Sequence, residues 1–408
     1  MTGSPVDMGA LAAELVALRR DLHRHPELGL DLPRTQQVVL DALAGLDLEI
    51  TLGQRLSSVT AVLRGRGGDP TAYRPVVLLR GDMDALPVTE ATGVDFTSEV
   101  PGLMHACGHD LHVAGLIGAA RLLHARRDEL VGDVVLMFQP GEEGPGGAEI
   151  MIAEGLLEAA GRPIDAAYAV HVYSADHPRG TWFARPGSLM AAADEVVVTV
   201  RGVGGHGSAP HRTKDPVPVA CEIVTALQVA VTRQFHIFDP LVITVGRVAA
   251  GTKDNIIPDD AVLEATVRTF SAETRVRAHE VIAQVATGIA AAHGLTVDIA
   301  LTHGYPPTIN DVDEFAFAKG VAVDLFGAGR WADMEFPEAG AEDMSFVLER
   351  VPGAYINLST CVTEDPRDAE DNHSPRAAFD DSVLGDLAVY LSELAVRRLA
   401  TCRSSNPL

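Results

Sequence analysis

The feature that most constrains this chain is a rhythm: short runs rich in Val and Leu alternate with longer segments of helical periodicity. The apolar runs 76–79, 134–138 and 166–172 are separated by helical patterns at 111–125 and 148–157. Continuous apolar runs suit strands buried on both faces, and strands separated by helices pair in parallel through crossovers. The expected fold class is therefore α/β, with a mostly parallel or mixed sheet covered by helices. Met8, Leu11, Leu15, Leu18 and Leu22 recur at three- and four-residue steps, the stripe of an amphipathic first helix ending near His25-Pro26. Leu384, Leu387, Leu391 and Leu394 form the same kind of stripe on a final helix.

From about Glu195 the rhythm changes. A strand at 195–201, a helix at 217–232, strands at 241–248 and 261–269, a helix at 274–293 and a strand at 297–301 make a β-α-β-β-α-β unit complete in itself. This ferredoxin-like block reads as an inserted domain over 191–304, interrupting one domain built from 1–190 and 305–408. Gly and Pro are spread through the loops, so no long flexible linker stands out.

Length and charge exclude several classes. With 408 residues and 47% hydrophobic content, sizeable cores are available and intrinsic disorder is not the expectation. Lys and Arg total 32 against 56 Asp and Glu, a net charge of -24, so no basic face for nucleic acid is expected. Cys107, Cys221, Cys361 and Cys402 form no CxxC pair, which favours free thiols in a reducing compartment. The first residues lack a basic start followed by an apolar run, and no segment approaches the roughly 20 apolar residues that span a bilayer. The expectation is a cytoplasmic protein with neither a membrane nor a nucleic-acid partner.

In open α/β sheets ligands bind outside the carboxyl ends of the strands. Here those ends are polar: Arg80-Gly81-Asp82-Met83-Asp84 follows the first run, Pro140-Gly141-Glu142-Glu143-Gly144 the second, and His171 closes the third. His105-Ala106-Cys107-Gly108-His109-Asp110 stands just before a helix. A lone Asp after a strand is most often a cap, and a lone His is most often a satisfied core residue. Thiol, imidazole and carboxylate gathered at one sheet edge are instead the ligand types of zinc and its transition-metal neighbours. Cys107-Gly108-His109 is too tight for a zinc knuckle, and no second pair closes a four-ligand site, so the site should be open and catalytic. His373, in Asp371-Asn372-His373-Ser374-Pro375, is a further candidate from the late part of the same domain.

The adjacent Glu142 and Glu143 are the most informative pair. Beside a metal they can separate in role, one coordinated and the other left to take a proton from water. Nucleophilic catalysis has no support: there is no GxSxG elbow and Cys107 lacks a cysteine-protease context. Gly202-Val203-Gly204-Gly205 is not followed by a good helix, which argues against phosphate binding.

The stretches LRRDLHRHPELG, RGDMDALP, MHACGHDLH, GEEGPGGA, VHV, GGHGSAPH, NIIP, VRTF, GAEDMSF and NHSP occur in this order from about Leu18 to the final helix. Together they closely resemble the metal-dependent amidohydrolases that include hippurate hydrolases, aminoacylases and indole-acetyl-amino-acid hydrolases, within a clan of co-catalytic two-metal peptidases. The resemblance implies a catalytic domain with an inserted lid or dimerisation domain. Carried over position by position, it implies Cys107, His109, Glu143, His171 and His373 as ligands of two divalent metal ions. Zinc or manganese come first, with cobalt or nickel also compatible. It implies Glu142 as the general base, and a Cys107 thiolate able to bridge ions about 3.5–4 Å apart.

Asp82 and Asp84 are supporting candidates around those ligands, as are His105 and His112, while His23 and His25 read as packing at the end of the first helix. His206 resembles a histidine that related enzymes deliver, often from the other subunit, to the tetrahedral oxyanion, which implies a homodimer. Asn255 and Arg268 match positions expected to contact the substrate carboxylate or carbonyl. Glu342 and Asp343 resemble a loop near the site. Leu103 stands where an Arg is common, and Met344 where a Phe is common.

The expected function is metal-dependent hydrolysis of the amide bond of a small-molecule N-acyl amino acid, giving a carboxylic acid and a free amino acid. A dipeptide or carbamoyl-compound hydrolase is the alternative chemistry. A non-catalytic amide-binding protein on the same fold is the alternative from another class, and the intact ligand set weighs against it.

Overall fold

The computed structural model describes residues 6–69 and 71–401, and Cys402 lies outside the described residues. The chain divides into two compact units, one of 1–187, 309–335 and 346–408 and another of 188–308 and 336–345.

The first unit is built on a mixed eight-stranded sheet. Its centre is the strand Val76–Asp82, flanked in parallel by Asp133–Gln139 and Ala166–Tyr173. Beyond Asp133–Gln139 lie Val59–Arg64 and Glu49–Leu52, both antiparallel to their neighbours. On the other side Gly353–Ser359 pairs in parallel with Ala166–Tyr173, and Trp182–Ala184 and Trp331–Asp333 close the sheet. The three central strands are buried almost throughout, which explains why their sequences are continuous apolar runs rather than alternating ones. Their carboxyl ends point the same way, so the polar residues that follow them share one edge.

The helix His109–Ala125 is central in this unit, with 13 of its 17 residues buried. A helix buried nearly all round needs small residues where its neighbours cross it. Gly118 is one such point, because a Cβ there would stand 2.6 Å from Ala388 Cβ and 2.7 Å from Leu15 Cδ1. Those neighbours belong to the helices Leu384–Thr401 and Met8–Arg24. The latter starts at the Asp7 cap, which accepts from the Gly9 and Ala10 amides, and buries Leu11, Leu15 and Leu22 along the expected stripe. Each of these fully buried leucines contributes roughly 1.5–3 kcal/mol of transfer free energy.

The second unit holds a four-stranded antiparallel sheet in the order Leu241–Ala250, Asp260–Thr269, Ala192–Arg201, Thr296–Thr302. Val196, Val198 and Val200 alternate inward and pack with the helices Pro216–Gln234 and Ala272–Ala292. The segment 336–345 belongs to this unit, outside the contiguous 191–304 block. Backbone pairing holds it there: Ala191 donates to Glu338 O and Gly340 O, and Glu338 donates to Leu189 O. Among the described residues no helix is long and apolar enough to cross a membrane.

Asp194 ties the start of its strand to the first turns of the helix Ala272–Ala292 and to the segment after Thr296–Thr302. Its carboxylate, 1% exposed, accepts from Arg275 Nε at 2.8 Å and Nη2 at 2.6 Å, from His279 Nε2 at 2.8 Å and from the Gly304 amide at 3.0 Å. Burial raises the Asp194 carboxyl, but these partners outweigh it and hold the group below its ordinary value. A carboxyl depressed in the folded state contributes stability that is present above its unfolded value, about 3.9, and is lost as pH falls through the folded value. Asp194→Asn, which strands Arg275, is expected to cost about 3 kcal/mol at neutral pH. Urea unfolding followed from pH 7 to pH 3 should show a flatter acid limb for the variant than for the wild type.

Candidate metal centre

Gly108 shapes the loop that leads into the central helix. It adopts φ +82, in the left-handed region, and a Cβ there would lie 2.4 Å from Val172 Cγ2 and 3.0 Å from Phe379 Cε1. Only glycine meets both demands, so Cys107 and His109 flank a turn that no other residue can make. His109 then opens the helix, and its Nδ1 donates to the Asp84 carbonyl at 2.8 Å. That bond leaves Nε2 as the ring's other face, 3.3 Å from Asp82 Oδ2 and 4.0 Å from Glu143 Oε1.

The remaining donors come from three other segments. Cys107 Sγ lies 3.3 Å from His171 Nε2 and 3.3 Å from His373 Nε2. His373 Nε2 is also 3.3 Å from Glu143 Oε1. Single donor atoms of Cys107, His109 and His171 all fall within 4.8 Å of one another, as do those of Cys107, Glu143 and His373, and those of His109, Glu142 and Glu143. Cys107, His109 and Glu143 each belong to two of these groups, so the groups form one continuous cluster. His373 is 54% exposed whereas His109 is fully buried, so the cluster opens to solvent on the His373 side.

Two facts test whether this cluster fits a metal. His109 Nε2 is buried without a hydrogen-bond partner, a state that native interiors rarely tolerate, and the largely buried Glu143 Oε1 faces only imidazole nitrogens, His373 Nε2 at 3.3 Å and His109 Nε2 at 4.0 Å. The local field also favours positive charge. Hydrogen bonds to Cys107 and Glu143 push the His373 imidazole up to about 10, and Asp82 and Cys107 raise His109 against the opposing effect of burial. A field that favours positive charge at these side chains also suits a divalent cation, which binds by displacing their protons. The residues therefore fit a metal centre.

Asp82 and Asp84 are occupied in supporting roles. Asp82 Oδ1 hydrogen bonds His112 Nδ1, and Oδ2 accepts from Arg80 Nη1 at 2.7 Å. The Val172 amide donates to His112 Nε2 at 2.8 Å, so the His112 proton sits on Nδ1 and is given to Asp82. Burial raises Asp82, but Arg80, His109 and His112 hold it well below the usual carboxylate range. Asp82, His109 and His112 also place single donor atoms within 4.8 Å of one another, but the Asp82 carboxylate is already matched by Arg80 and orients His112. Asp84 brackets the next loop: Oδ1 accepts from the Glu142 amide and Oδ2 from the Glu143 amide, each at 3.0 Å. One carboxylate thus fixes the backbone of both neighbouring glutamates.

Charge compensation extends one layer further. Asp110, beside His109, accepts from His23 Nδ1 at 2.8 Å and pairs with Arg19 Nε at 2.8 Å. His23 also faces Glu90 at 3.3 Å. His23 is therefore part of a buried ionic network and does more than pack at the end of the first helix. His105 is 1% exposed with both ring nitrogens unpartnered, and burial pushes it down to about 3, so it is a neutral packing ring.

The second unit, described by itself, carries His206, Asn255 and Arg268. Gly205–His206 pairs with Ile256–Ile257, and the Gly207 amide donates to Asn255 O at 2.9 Å, which makes His206 and Asn255 neighbours. His206 Nδ1 receives the Ser208 amide at 3.1 Å. An Nδ1 that accepts leaves the proton of the neutral ring on Nε2, so the exposed imidazole presents an N–H donor. Arg268 is half-buried on Asp260–Thr269, opposite Ala193 and Val242. Glu342 and Asp343 are buried in the same unit, where Glu342 Oε1 accepts from the Met344 amide at 2.8 Å.

Residues 78–397 match the family model described as Peptidase family M20/M25/M40. The chain belongs to that family. It is 36% identical to an N-acetylcysteine deacetylase of Bacillus subtilis over 97% of this chain and 99% of that one. It is also 36% identical to thermostable carboxypeptidase 1 of Saccharolobus solfataricus, over 94% and 95% of the two chains. Among solved structures, a dinuclear metal-binding M20 peptidase of Bacillus subtilis superposes with a TM-score of 0.81 at 34% identity, covering 96% of this chain and 99% of that one. The chain is accordingly a hydrolase of a dinuclear metal-binding family.

Arg80 and Asp110 were missed by sequence reasoning as the charge partners around these side chains. Arg80 and Asp110 stand inside quoted motifs, and a charge placed in an apolar stretch was the available signal. Asp84→Asn would turn one bracket acceptor into a donor facing a buried amide N–H. A loss of about 1–3 kcal/mol in urea unfolding is expected for that variant.

Proposed function

We infer that this M20-family enzyme hydrolyses the amide bond of N-acyl amino acids, releasing a carboxylic acid and a free amino acid. The observation that carries this reading is the convergence of the donor atoms of Cys107, His109, Glu143, His171 and His373 into one cluster, with Glu142 adjacent. The similarity to an enzyme named for N-acetylcysteine deacetylation supports the substrate class. Cys107, His109, Glu143, His171 and His373 would hold two divalent ions, with zinc or manganese first and cobalt or nickel compatible with the same donors. When bound, such ions acidify a water to near neutrality and polarise the scissile carbonyl.

The chain supplies the proton transfers and the positioning. Glu142 is 7% exposed and its backbone is fixed by Asp84, so its carboxylate can take the proton of the attacking water and return it to the leaving nitrogen. Arg80 and His112 hold Asp82 beside His109, whose ring is kept in place by its Nδ1 bond to the Asp84 carbonyl. His206 offers an Nε2–H to the oxyanion, while Asn255 and Arg268 recognise the carboxylate or carbonyl of the amino-acid part.

The enzyme acts as a cytoplasmic homodimer in this reading. Leu241–Ala250 is an edge strand of its sheet, and Ile237 and Phe238 just before it are 80% and 84% exposed. Unpaired edges next to exposed apolar side chains invite pairing with another chain. Sedimentation should give a particle of twice the 43.1 kDa chain.

The first test is amino-acid release from N-acetyl, N-benzoyl and long-chain N-acyl amino acids and from dipeptides, before and after chelation and metal return. Cleavage of the N-acyl substrates that stops with chelator and returns with metal is the expected result. Faster cleavage of dipeptides would favour the peptidase alternative that the carboxypeptidase-named relative keeps open. Glu142→Gln should retain metal stoichiometry and lose about 10²–10⁴-fold in kcat. His206→Ala should lose about 10²–10³-fold in kcat with metal content unchanged.

A further inference from the structure

The donors Cys107, His171 and His373 come from segments far apart in sequence, yet their spacing is set without any direct backbone link among all three. Asn372 supplies the link. Its Oδ1 accepts the Ser174 amide at 2.9 Å and lies 2.9 Å from the Ser174 hydroxyl, whose one proton it shares with Glu370 O at 2.7 Å. Its Nδ2 donates to the Val172 carbonyl at 3.0 Å and reaches Cys107 O at 3.4 Å and Cys107 Sγ at 3.8 Å. The orientation of this amide is not arbitrary. A backbone N–H can only donate and a carbonyl can only accept, so the oxygen must face Ser174 and the nitrogen must face Val172 and Cys107.

The next residue is under conformational strain. His373 has φ +71, a left-handed conformation that a non-glycine residue keeps only where its surroundings impose it. Two contacts impose it here: the His373 amide donates to Ala106 O at 2.8 Å, and the Asn372 side chain clamps the preceding position. No other residue type meets the same demands. Asp would set a carboxylate oxygen against two carbonyls, Ser would be too short, and Gln too long for the same contacts.

We propose that Asn372 is a positioning residue, whose side-chain amide joins the Cys107 loop, the strand end after His171 and the His373 turn, and thereby sets the spacing of three metal donors. The inference rests on the metal-centre reading of Cys107, His171 and His373 given above. It adds that the centre is pre-formed by a neutral amide and that the Nδ2 proton directed at Sγ withdraws electron density from the sulfur donor.

The test uses the full chain, stripped with chelator and titrated with cobalt(II), which reports thiolate ligation through a near-ultraviolet charge-transfer band. Asn372→Ala is expected to weaken cobalt binding about 10- to 100-fold and to move the band to lower energy, because the sulfur loses a hydrogen-bond donor. Asn372→Asp, isosteric and able to keep both Ser174 contacts, is expected to weaken binding further, and it carries the test if the alanine variant does not fold. Far-UV circular dichroism at 25 °C establishes that each variant scored is native. A native variant of either kind whose affinity stays within about twofold of wild type, with the band unshifted, overturns the proposal. Cys107→Ser separates the two readings. If it leaves the band intact, the metal-centre reading fails and this inference with it; if it abolishes the band while the Asn372 variants behave as wild type, only the present inference fails.

Discussion

Buried charge at the carboxyl edge of three parallel strands is the constraint around which the first unit is arranged. Asp82, Asp84, Asp110, Glu142 and Glu143 sit there together, each mostly or fully withdrawn from water. An unpaired carboxylate in such a place would cost several kcal/mol, so each needs a partner. Arg80 and His112 compensate Asp82, Arg19 and His23 compensate Asp110, and two backbone amides bind Asp84. Apart from Glu142, that leaves the group of Glu143, Cys107 and three imidazoles, whose natural complement is a multivalent cation.

This arrangement explains the depth at which the helices pack. The first helix contributes Leu11, Leu15 and Leu22 to the core and, from the same buried stripe, delivers Arg19 and His23 to Asp110. The central helix carries His109 at its start and His112 one turn later, while Gly118 allows its neighbours to approach. Core packing and the positioning of donors are thus done by the same elements. A change in packing at these helices would be felt at the centre.

Much of this was legible in order along the chain. The apolar runs gave away the parallel strands, and Cys107-Gly108-His109, Glu142-Glu143, His171 and His373 stood out because thiol, imidazole and carboxylate have few structural uses when they follow strands. Val196, Val198 and Val200 alternate where the first unit's strands do not, which is the pattern of a sheet covered on one face. Asn372 and Ser174 were not legible, because neither residue type is unusual in a loop and their partners are some two hundred positions away. Arg80 looked like an ordinary polar residue at a strand end, and only its buried contact with Asp82 reveals it as a counter-charge. Residues 336–345 could not be assigned to the second unit from pattern, because irregular backbone pairing with Leu189 and Ala191, not periodicity, holds them there.

The sequence by itself determined which elements form and which atoms are available: apolar periodicity selects strand or helix locally, and donor chemistry is a property of each side chain alone. Only the tertiary structure decided which donors meet. Cys107, Glu143, His171 and His373 become neighbours because three crossovers return the chain to one sheet edge, and distances of about 3 Å between them depend on packing across the whole unit. It also decided which carboxylates are already satisfied, separating Asp82 and Asp84 from Glu143, since a charge partner is set by proximity in space and leaves no trace in local periodicity.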